Sequence, residues 1–287
     1  METEELTYGF FPGCAYKTAA GYMDSVDAVN RVLGIVLEEV SDWNCCGATA
    51  IFSLNRSDAL ILNGRLIALA NKQGFDQIVT ICNACYTTLR KAIRIFKEDQ
   101  DNISRVNEKL AQENLEITAL LPVRHYLEIL CNDIAEEVWS EKRPDYIGKL
   151  KVAAYYGCQL TRPWGDLDKT ERPTILDQLL EKLGFQVIDH SAKTFCCGAA
   201  HFLPYEKDCQ PLIRRILDEA KRKGAQLIST LCPLCQFNLD AAQAKLTRSP
   251  IPIPYFSQLA GLALGISPKE LGLQKLLVPM KDPLEQE

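Results

Sequence analysis

The chain has 287 residues, of which 47% are hydrophobic and 24% charged, so it can bury the core of one large domain or of two ordinary ones. No segment approaches the roughly 18 uninterrupted apolar residues of a membrane span, and the acidic start "METEELTYGFF" is unlike a signal peptide. We therefore expect a cytoplasmic chain with no transmembrane segment. The net charge of −5 does not indicate the basic surface that binds nucleic acid, so we expect no nucleic-acid partner.

In the first half of the chain, runs rich in β-branched and aromatic residues alternate with amphipathic runs. Strands are predicted at "LTYGFF", "GIVLEEV" and "DQIVTI", and helices at "AAGYMDSVDAVNRVL" and "LNRSDALILNGRLIALANKQ". A charged helical stretch is predicted from about 86 to 113. This alternation is typical of mostly parallel sheets with helices on their faces.

The second half has the same alternation. Strands are predicted at "KVAAYY", "FQVIDH" and "AQLISTL", and helices at "TILDQLLEKL" and "CQPLIRRILDEAKRK". The halves also share motifs: "FFPGC" (10–14) matches "AYYGC" (154–158), "NCCGA" (44–48) matches "FCCGA" (195–199), "GFDQIVTICNAC" (74–85) matches "GAQLISTLCPLC" (224–235), and "LPVRHYLEIL" (121–130) matches "IPIPYFSQLA" (251–260).

A repeat period near 150 residues indicates duplication of a whole domain rather than a solenoid. The junction falls in the charged segment "SEKRPDYIGK" (140–149). We therefore predict two domains, at residues 1–145 and 146–287.

Ten of the twelve cysteines form two matched sets of five. The first set is Cys14, Cys45, Cys46, Cys82 and Cys85, and the second is Cys158, Cys196, Cys197, Cys232 and Cys235. Each cysteine stands where a predicted strand ends and a turn or helix begins. Ligands of open α/β sheets bind beyond the carboxyl ends of the strands, so we expect each set to converge on one pocket. Helix N-termini after "CNAC" and "CPLC" would favour an anionic, thiolate-ligated centre there.

The residues alone leave several interpretations of these sets open. Cysteine is common as a small buried residue, whereas disulfides are uncommon in the reducing compartment that we expect. Zinc takes four thiolates and each set contains a CxxC, but each set also offers a fifth cysteine. A thioredoxin-like redox CxxC is a further alternative. An iron–sulfur centre is favoured because several irons offer separate sites to five thiolates.

The order of a single cysteine, CCG and CxxC, present twice over nearly the whole chain, resembles the cysteine-rich CCG domain. Two such copies resemble the B subunit of heterodisulfide reductase. The resemblance implies that each five-cysteine set binds one noncubane 4Fe–4S cluster, so that all ten cysteines are metal ligands. We thus expect an α/β fold of two duplicated, pseudo-twofold-related halves, with mostly parallel sheets and the clusters at the carboxyl ends of the strands.

The same resemblance implies an oxidoreductase acting on sulfur groups. The chain would be the iron–sulfur catalytic subunit of a heterodisulfide reductase-type complex and would perform two-electron thiol/disulfide chemistry on a small molecule. Its partners would be a small ferredoxin-like 4Fe–4S subunit, of the C type, and a flavin-containing subunit, of the A type.

An alternative function is an electron-relay or quinone-facing subunit of a dehydrogenase such as succinate dehydrogenase, or a subunit of a sulfur-oxidising complex. A quinone-facing role would favour an exposed apolar patch. The best candidate segment, "IPYFSQLAGLALGI" (253–266), is more simply interpreted as core.

Residues outside the two sets are weaker candidates. His201 follows the second CCG motif and could donate a hydrogen bond or a proton there, and Arg124 could help to bind an anionic substrate. The other two histidines are interpreted as structural. Cys131 and Cys209 fall in predicted helices and are interpreted as buried small residues rather than ligands. The sequence contains no GxGxxG motif and no P-loop, so nucleotide binding is assigned to a partner.

Overall fold

The structure, a computed structural model, describes residues 6–48, 50–202 and 204–280. It divides into two compact units: residues up to Tyr16 together with Gly34–Ile129, and Lys17–Leu33 together with the residues from Leu130 onward. Each unit contains its own parallel sheet. The predicted two-part α/β fold is therefore confirmed. Within the described residues, no helix is long and apolar enough to cross a membrane.

The strands and helices alternate along the chain as the sequence patterns predict. In chain order the strands are β1 Leu6–Phe11, β2 Ile35–Glu39, β3 Ile78–Thr80, β4 Val123–His125, β5 Lys151–Tyr155, β6 Gln186–Ile188 and β7 Leu227–Thr230. The α-helices are α1 Gly13–Thr18, α2 Tyr22–Leu33, α3 Ile51–Leu54, α4 Arg56–Lys72, α5 Asn83–Glu98, α6 Asp101–Leu110, α7 Tyr126–Asn132, α8 Glu136–Glu141, α9 Ile175–Lys182, α10 Glu206–Arg222, α11 Pro233–Leu246 and α12 Phe256–Ala263.

The first sheet has the strand order β2-β1-β3-β4, and the second has the order β6-β5-β7. In the second unit a single parallel bridge between Thr230 and Tyr255 stands where β3 and β4 pair in the first unit. Tyr255 lies in the segment 251–260, which matches the segment 121–130 of the first half in sequence. The repeat is thus visible in the topology, with the fourth strand reduced to one residue pair in the second unit.

The charged stretch 86–113, predicted as one helical stretch, is divided into α5 and α6, followed by a short 3-10 helix at Ala111–Glu113. Asp99 adopts an extended conformation (φ −145°) and ends α5. Its carboxylate then accepts hydrogen bonds from the Asp101 amide (3.1 Å) and from the Asn102 side chain (2.9 Å). A short acidic side chain that bonds the backbone ahead of it favours a turn over a continuous helix.

Helix α2 belongs to the second unit although it directly follows the first strand and the first cysteine. The Tyr22 ring stacks on Tyr255 at a centroid distance of 4.1 Å, and the hydroxyl groups of Ser25 and Ser257 hydrogen-bond at 2.7 Å. Every residue of α12 is buried. The segment 253–266 is therefore core and not an exposed apolar patch.

Candidate metal centres

The carboxyl ends of the strands bring each cysteine set together. Cys14 and Cys82 follow the adjacent parallel strands β1 and β3, and Cys158 and Cys232 follow β5 and β7. The two vicinal pairs follow β2 and β6, the neighbours of β1 and β5 on the other side. All strands of a parallel sheet point the same way, so these residues meet at one edge in each unit.

In the first unit the thiols of the first set lie against one another. The Sγ atoms of Cys46 and Cys85 are 3.4 Å apart. Hydrogen bonding to Cys46 and burial raise the pKa of Cys45, which also lies within the electrostatic reach of Cys14. The pKa of Cys46 is lowered to about 4 by hydrogen bonds from Cys45 and Cys85, and that of Cys85 is raised by its bonds to Cys46 and Cys82. Cys14 and Cys45 are exposed and the other three thiols are buried.

In the second unit the second set repeats this arrangement. The Sγ atoms of Cys197 and Cys235 are 3.5 Å apart. The pKa of Cys196 is lowered to about 6 by its hydrogen bond with Cys158, whose own pKa is raised. The pKa of Cys197 is lowered to about 7 by its hydrogen bond with Cys235. In turn the pKa of Cys235 is raised by its bonds to Cys197 and Cys232.

Within each set the pKa of some thiols is lowered and that of others is raised, so the five thiols need a cationic centre in order to ionise together. Five thiols at these distances cannot all ionise without a cationic centre, because thiolates repel one another. Iron or another metal that binds thiolates removes this obstacle. In the described part of the chain, no three His, Cys, Asp or Glu side chains are grouped as ligands of one metal ion. The chemistry of the donor sets nevertheless fits a centre with several metal ions and thiolate ligands.

The glycine of each CCG motif lets the backbone donate hydrogen bonds to the vicinal thiols. Gly47 and Gly198 have φ angles of 74° and 78°, which residues with a side chain rarely adopt. The Gly47 amide donates to Cys45 Sγ at 3.4 Å, and the Gly198 amide donates to Cys196 Sγ at 3.3 Å. In the first unit the Ala48 amide adds a bond to Cys46 Sγ at 3.4 Å. The Gly-Ala sequence thus places N–H groups around sulfur atoms that would carry negative charge.

A second glycine, directly before the single cysteine of each set, lets the sulfur atoms approach the backbone. A Cβ atom at Gly13 would lie 2.8 Å from Cys85 Sγ, and one at Gly157 would lie 3.2 Å from Cys235 Sγ. Both glycines have positive φ angles, 66° and 69°. The glycine in "FFPGC" and "AYYGC" is therefore needed because a larger residue would collide with a sulfur of the same set.

The CxxC motifs place helix N-termini at both sets. Cys82 is the N-cap of α5 and Cys232 is the N-cap of α11, with Cys85 and Cys235 in the first turns. Neither N-cap makes a side-chain capping hydrogen bond. The N-terminal amides and the helix dipoles favour a negatively charged group at this place, as the sequence predicts.

A buried ion pair that was not predicted from the sequence fixes the loops that carry cysteines of the second set. Lys193 Nζ lies 2.8 Å from Asp177 Oδ1, and the two side chains are 9% and 11% exposed. The Lys193 carbonyl accepts hydrogen bonds from the amides of Tyr156 (2.9 Å) and Gly157 (3.2 Å), directly before Cys158. The Lys193 side chain therefore fixes the loop before the second vicinal pair to Asp177 on α9. The Lys193 carbonyl fixes the same loop to the residues before Cys158. The sequence signal for this role is a lysine three residues before the second CCG motif.

In the first unit a different ion pair holds the corresponding loop. Arg65 on α4 binds the Asp42 carboxylate (2.6 Å), the Asp42 carbonyl (2.6 Å) and the Asn44 side chain (3.4 Å). A further bond links Arg65 to Glu113 at 2.6 Å. Both vicinal pairs are thus preceded, three residues earlier, by a charged residue that is fixed to a helix.

The two weaker candidates lie in different units. His201 is exposed at the end of the 3-10 helix Ala199–His201, and its charge contributes, after the hydrogen bond with Cys158, to the lowered pKa of Cys196. Arg124 is half-buried on β4. His201 is therefore close to the second set, as expected.

The remaining histidines and cysteines are buried. His125 Nδ1 accepts a hydrogen bond from the Leu127 amide at 3.2 Å, and His190 Nε2 lies 2.9 Å from the Ala154 carbonyl. Cys131 is buried in α7, and its thiol donates to the Ile175 carbonyl at 3.6 Å. The Cys209 thiol in α10 donates to the Gly198 carbonyl at 3.4 Å, beside the second set. The burial predicted for the two extra cysteines is confirmed.

Comparison with known proteins identifies the cysteine pattern. The CCG cysteine-rich domain model matches residues 8–90 and 152–240. The chain is 34% identical over 274 residues to the 8-methylmenaquinol:fumarate reductase membrane anchor subunit of Wolinella succinogenes, covering 93% of this chain and 95% of the relative. It is 33% identical over 245 residues to the B subunit of the ferredoxin:CoB-CoM heterodisulfide reductase of Methanosarcina mazei, covering 81% of this chain and 80% of the relative.

Among solved structures, a hypothetical protein from Helicobacter pylori has the same fold. Its TM-score is 0.77 at 14% sequence identity, and the superposition covers 96% of this chain and 52% of that chain. At this identity the similarity supports the fold alone.

Proposed function

Because the chain belongs to the family of heterodisulfide reductase B subunits, with tandem CCG cysteine-rich domains, we propose that it is the iron–sulfur catalytic subunit of a multisubunit oxidoreductase. Each five-cysteine set would bind one noncubane 4Fe–4S cluster, and residues 1–145 and 146–287 would be the two domain copies. The observation that carries this proposal is the convergence of two matched sets of five thiols on the carboxyl ends of two parallel sheets.

Reduction of a small-molecule disulfide to two thiols is the reaction that this arrangement supports best. When bound, two clusters supply one electron each, which matches the two electrons that a disulfide takes up. The chain keeps one or two cysteines of each set at the surface, where a substrate could reach them: Cys14 and Cys45 in the first set, and Cys196 in the second. His201, exposed beside Cys196, is placed to give a proton to a departing thiolate.

A second candidate function follows from the relative in Wolinella succinogenes. That relative is named as the membrane anchor subunit of an 8-methylmenaquinol:fumarate reductase, and it is similar over 95% of its own length. In this candidate the chain passes electrons between a quinol and a dehydrogenase and reduces no disulfide. Burial of the segment 253–266 removes the apolar patch that the sequence offered for this role.

We also propose that two partners deliver or receive the electrons. One is a small ferredoxin-like protein with 4Fe–4S clusters, and the other is a flavin-containing protein of the same complex, since the chain itself shows no nucleotide-binding motif. Purification of the native chain should return such a complex. A monomer with full turnover from a physiological donor would contradict this part of the proposal.

The metal content tests the proposal directly. Protein purified without oxygen should contain about eight irons and about eight acid-labile sulfides per chain, because two 4Fe–4S clusters are expected. Cys46→Ser should remove iron from the first set, and Cys197→Ser from the second, so each variant should keep about half of the iron. About two zinc ions per chain and no sulfide would overturn the proposal.

Paramagnetic resonance of the oxidised, anaerobic protein can separate the two candidate functions. With disulfide chemistry, a candidate thiol or disulfide should produce a new cluster signal that iron-57 broadens and that Cys197→Ser abolishes. Silence with every thiol, together with quinone reduction by the assembled complex, would give the function to the quinone-linked relay.

A further inference from the structure

Two buried asparagines hold the second cysteine of each vicinal pair. Asn63 on α4 is fully buried, and its Nδ2 donates to the Cys46 carbonyl at 3.1 Å and to the Ala59 carbonyl of its own helix at 2.7 Å. Asn238 on α11 is 1% exposed, and its Nδ2 donates to the Cys197 carbonyl at 2.7 Å. Both contacts reach the backbone of the CCG motif, and Asn238 also hydrogen-bonds the Cys197 thiol.

Each contact is linked to a sulfur atom through one peptide plane. The Cys46 carbonyl and the Gly47 N–H belong to the same planar peptide unit, so an amide that fixes the carbonyl also fixes the direction of the N–H. This N–H donates to Cys45 Sγ at 3.4 Å. In the second set the Gly198 N–H, fixed in the same way by Asn238, donates to Cys196 Sγ at 3.3 Å.

The two asparagines do not correspond in the repeat. Asn63 is 17 residues after Cys46 (63 − 46), and the same offset from Cys197 gives Arg214. Asn238 is three residues after Cys235 (238 − 235), and the same offset from Cys85 gives Thr88. Duplication therefore does not explain why the same bond is present twice, and two different helices supply it.

Burying these amides has a cost. Within the described residues, Asn63 Oδ1 and Asn238 Oδ1 are buried and have no hydrogen-bond partner. An unsatisfied buried acceptor is destabilising, and most buried polar groups avoid it. Each unit thus retains an otherwise unfavourable side chain that orients the CCG peptide.

We propose that Asn63 and Asn238 are positioning residues that set the reduction potentials of the two centres. By fixing the peptide plane, each asparagine keeps an N–H aimed at the sulfur of the first vicinal cysteine. Hydrogen bonds to cluster sulfurs stabilise the more negative, reduced state, and they are among the factors that set the potential. This inference rests on the proposed function, because it assigns the potentials to two iron–sulfur centres.

Asn63→Leu and Asn238→Leu test the proposal, because leucine has a similar size and shape but no amide. Redox titration followed by paramagnetic resonance should show that each variant shifts the potential of one centre to a more negative value. The other centre should be unchanged, and the two variants should affect different centres. Iron and sulfide contents are measured on the same samples.

Two further variants control for the loss of a partly or fully buried amide as such. Asn71 lies on α4 and accepts from the Thr118 amide at 3.0 Å, while Gln243 lies on α11 and donates to the Ile251 carbonyl at 2.9 Å. Asn71→Leu and Gln243→Leu should lower the unfolding temperature and leave both potentials unchanged. Fully loaded Asn63→Leu and Asn238→Leu proteins with wild-type potentials would overturn the proposal.

A measurement on the metal-free chain decides the matter independently of cluster loading. With glycine labelled by nitrogen-15, the Gly47 amide should exchange its hydrogen several-fold faster in Asn63→Leu, and the Gly198 amide in Asn238→Leu. Unchanged exchange would contradict the proposed peptide orientation even if wild-type protein binds both clusters. Absence of iron from the wild-type protein would instead contradict the proposed function. The exchange result would still test the orientation of the CCG peptide.

Discussion

At the scale of single residues, the glycines before Cys14 and Cys158 allow a sulfur atom of the same set to come close to the backbone. Alanine at Gly13 would place a Cβ 2.8 Å from Cys85 Sγ, and alanine at Gly157 would place one 3.2 Å from Cys235 Sγ. The positive φ angle adds a backbone cost of about 1 kcal/mol at both positions.

We expect Gly13→Ala to remove most iron from the first set and Gly157→Ala to have the milder effect on the second. The reason is the shorter contact at Gly13, since the sulfurs at both positions are buried and cannot move away freely. Iron analysis and thermal unfolding of both variants check this order. Equal iron contents in the two variants would contradict it.

Residues that repeat in the sequence could be predicted as candidate metal ligands, whereas the single residues that support them could not. Each set of five cysteines was recognisable because a single cysteine, a CCG and a CxxC occur twice in the same order. Lys193 and Asn238 gave no comparable signal, since the first acts partly through its main-chain carbonyl and the second has no counterpart in the repeat. Their roles depend on contacts made only in the folded chain.

At the scale of elements, the Lys193–Asp177 pair joins the loop after β6 to α9 and to the loop after β5. Lys193 also lies 2.9 Å from the exposed carboxylate of Asp189, so it is the removal of Lys193 that leaves a buried charge, on Asp177, without a partner. Such a loss typically costs about 3–5 kcal/mol. We expect Lys193→Met to lower the free energy of unfolding of the metal-free chain by about 3 kcal/mol. Denaturant unfolding measures this value.

A double variant separates the ion pair from its surroundings. Lys193→Met combined with Asp177→Leu should cost less than the sum of the two single changes, because neither charge is left buried alone. The pair of the exposed Arg222 with Glu219 provides a control, and Arg222→Met should cost less than Lys193→Met. Additive effects of the two buried substitutions would show that Lys193 and Asp177 act independently.

The strands were predictable because β-branched and aromatic residues are concentrated in short runs between turn residues. The division of the stretch 86–113 into two helices was not, because it depends on hydrogen bonds of one side chain, Asp99. The membership of α2 in the second unit was also beyond sequence patterns. Its amphipathic face indicates a helix but not the partner, which is more than 200 positions away.

At the scale of the whole molecule, burial of histidine should make stability depend on pH. Burial lowers the pKa of His125 to about 4 and also lowers the pKa of His190. In the unfolded chain a histidine binds a proton near pH 6.5. Between about pH 6.5 and 4 the unfolded state therefore binds more protons, and the stability present above this window is lost as the pH falls through it.

For His125 alone this difference in pKa corresponds to about 3 kcal/mol. We expect the free energy of unfolding of the metal-free chain to fall between pH 7 and pH 4.5, and to fall less steeply in His125→Gln. Urea unfolding at several pH values measures both slopes. The same slope in the variant and the wild-type chain would show that His125 does not carry this dependence.

The placement of α2 has a consequence for how the protein is made. Ser25 of this helix bonds to Ser257, 232 positions later, so the ribosome releases α2 long before the residues that cover it. At synthesis rates of 5–20 residues per second the delay is roughly 10 to 50 seconds. Throughout this interval the apolar side chains of Val26 and Val29, fully buried in the finished fold, face water. The nascent chain therefore carries an uncovered apolar helix between the first two strands of the first unit, and a chaperone that shields it would raise the yield of folded protein.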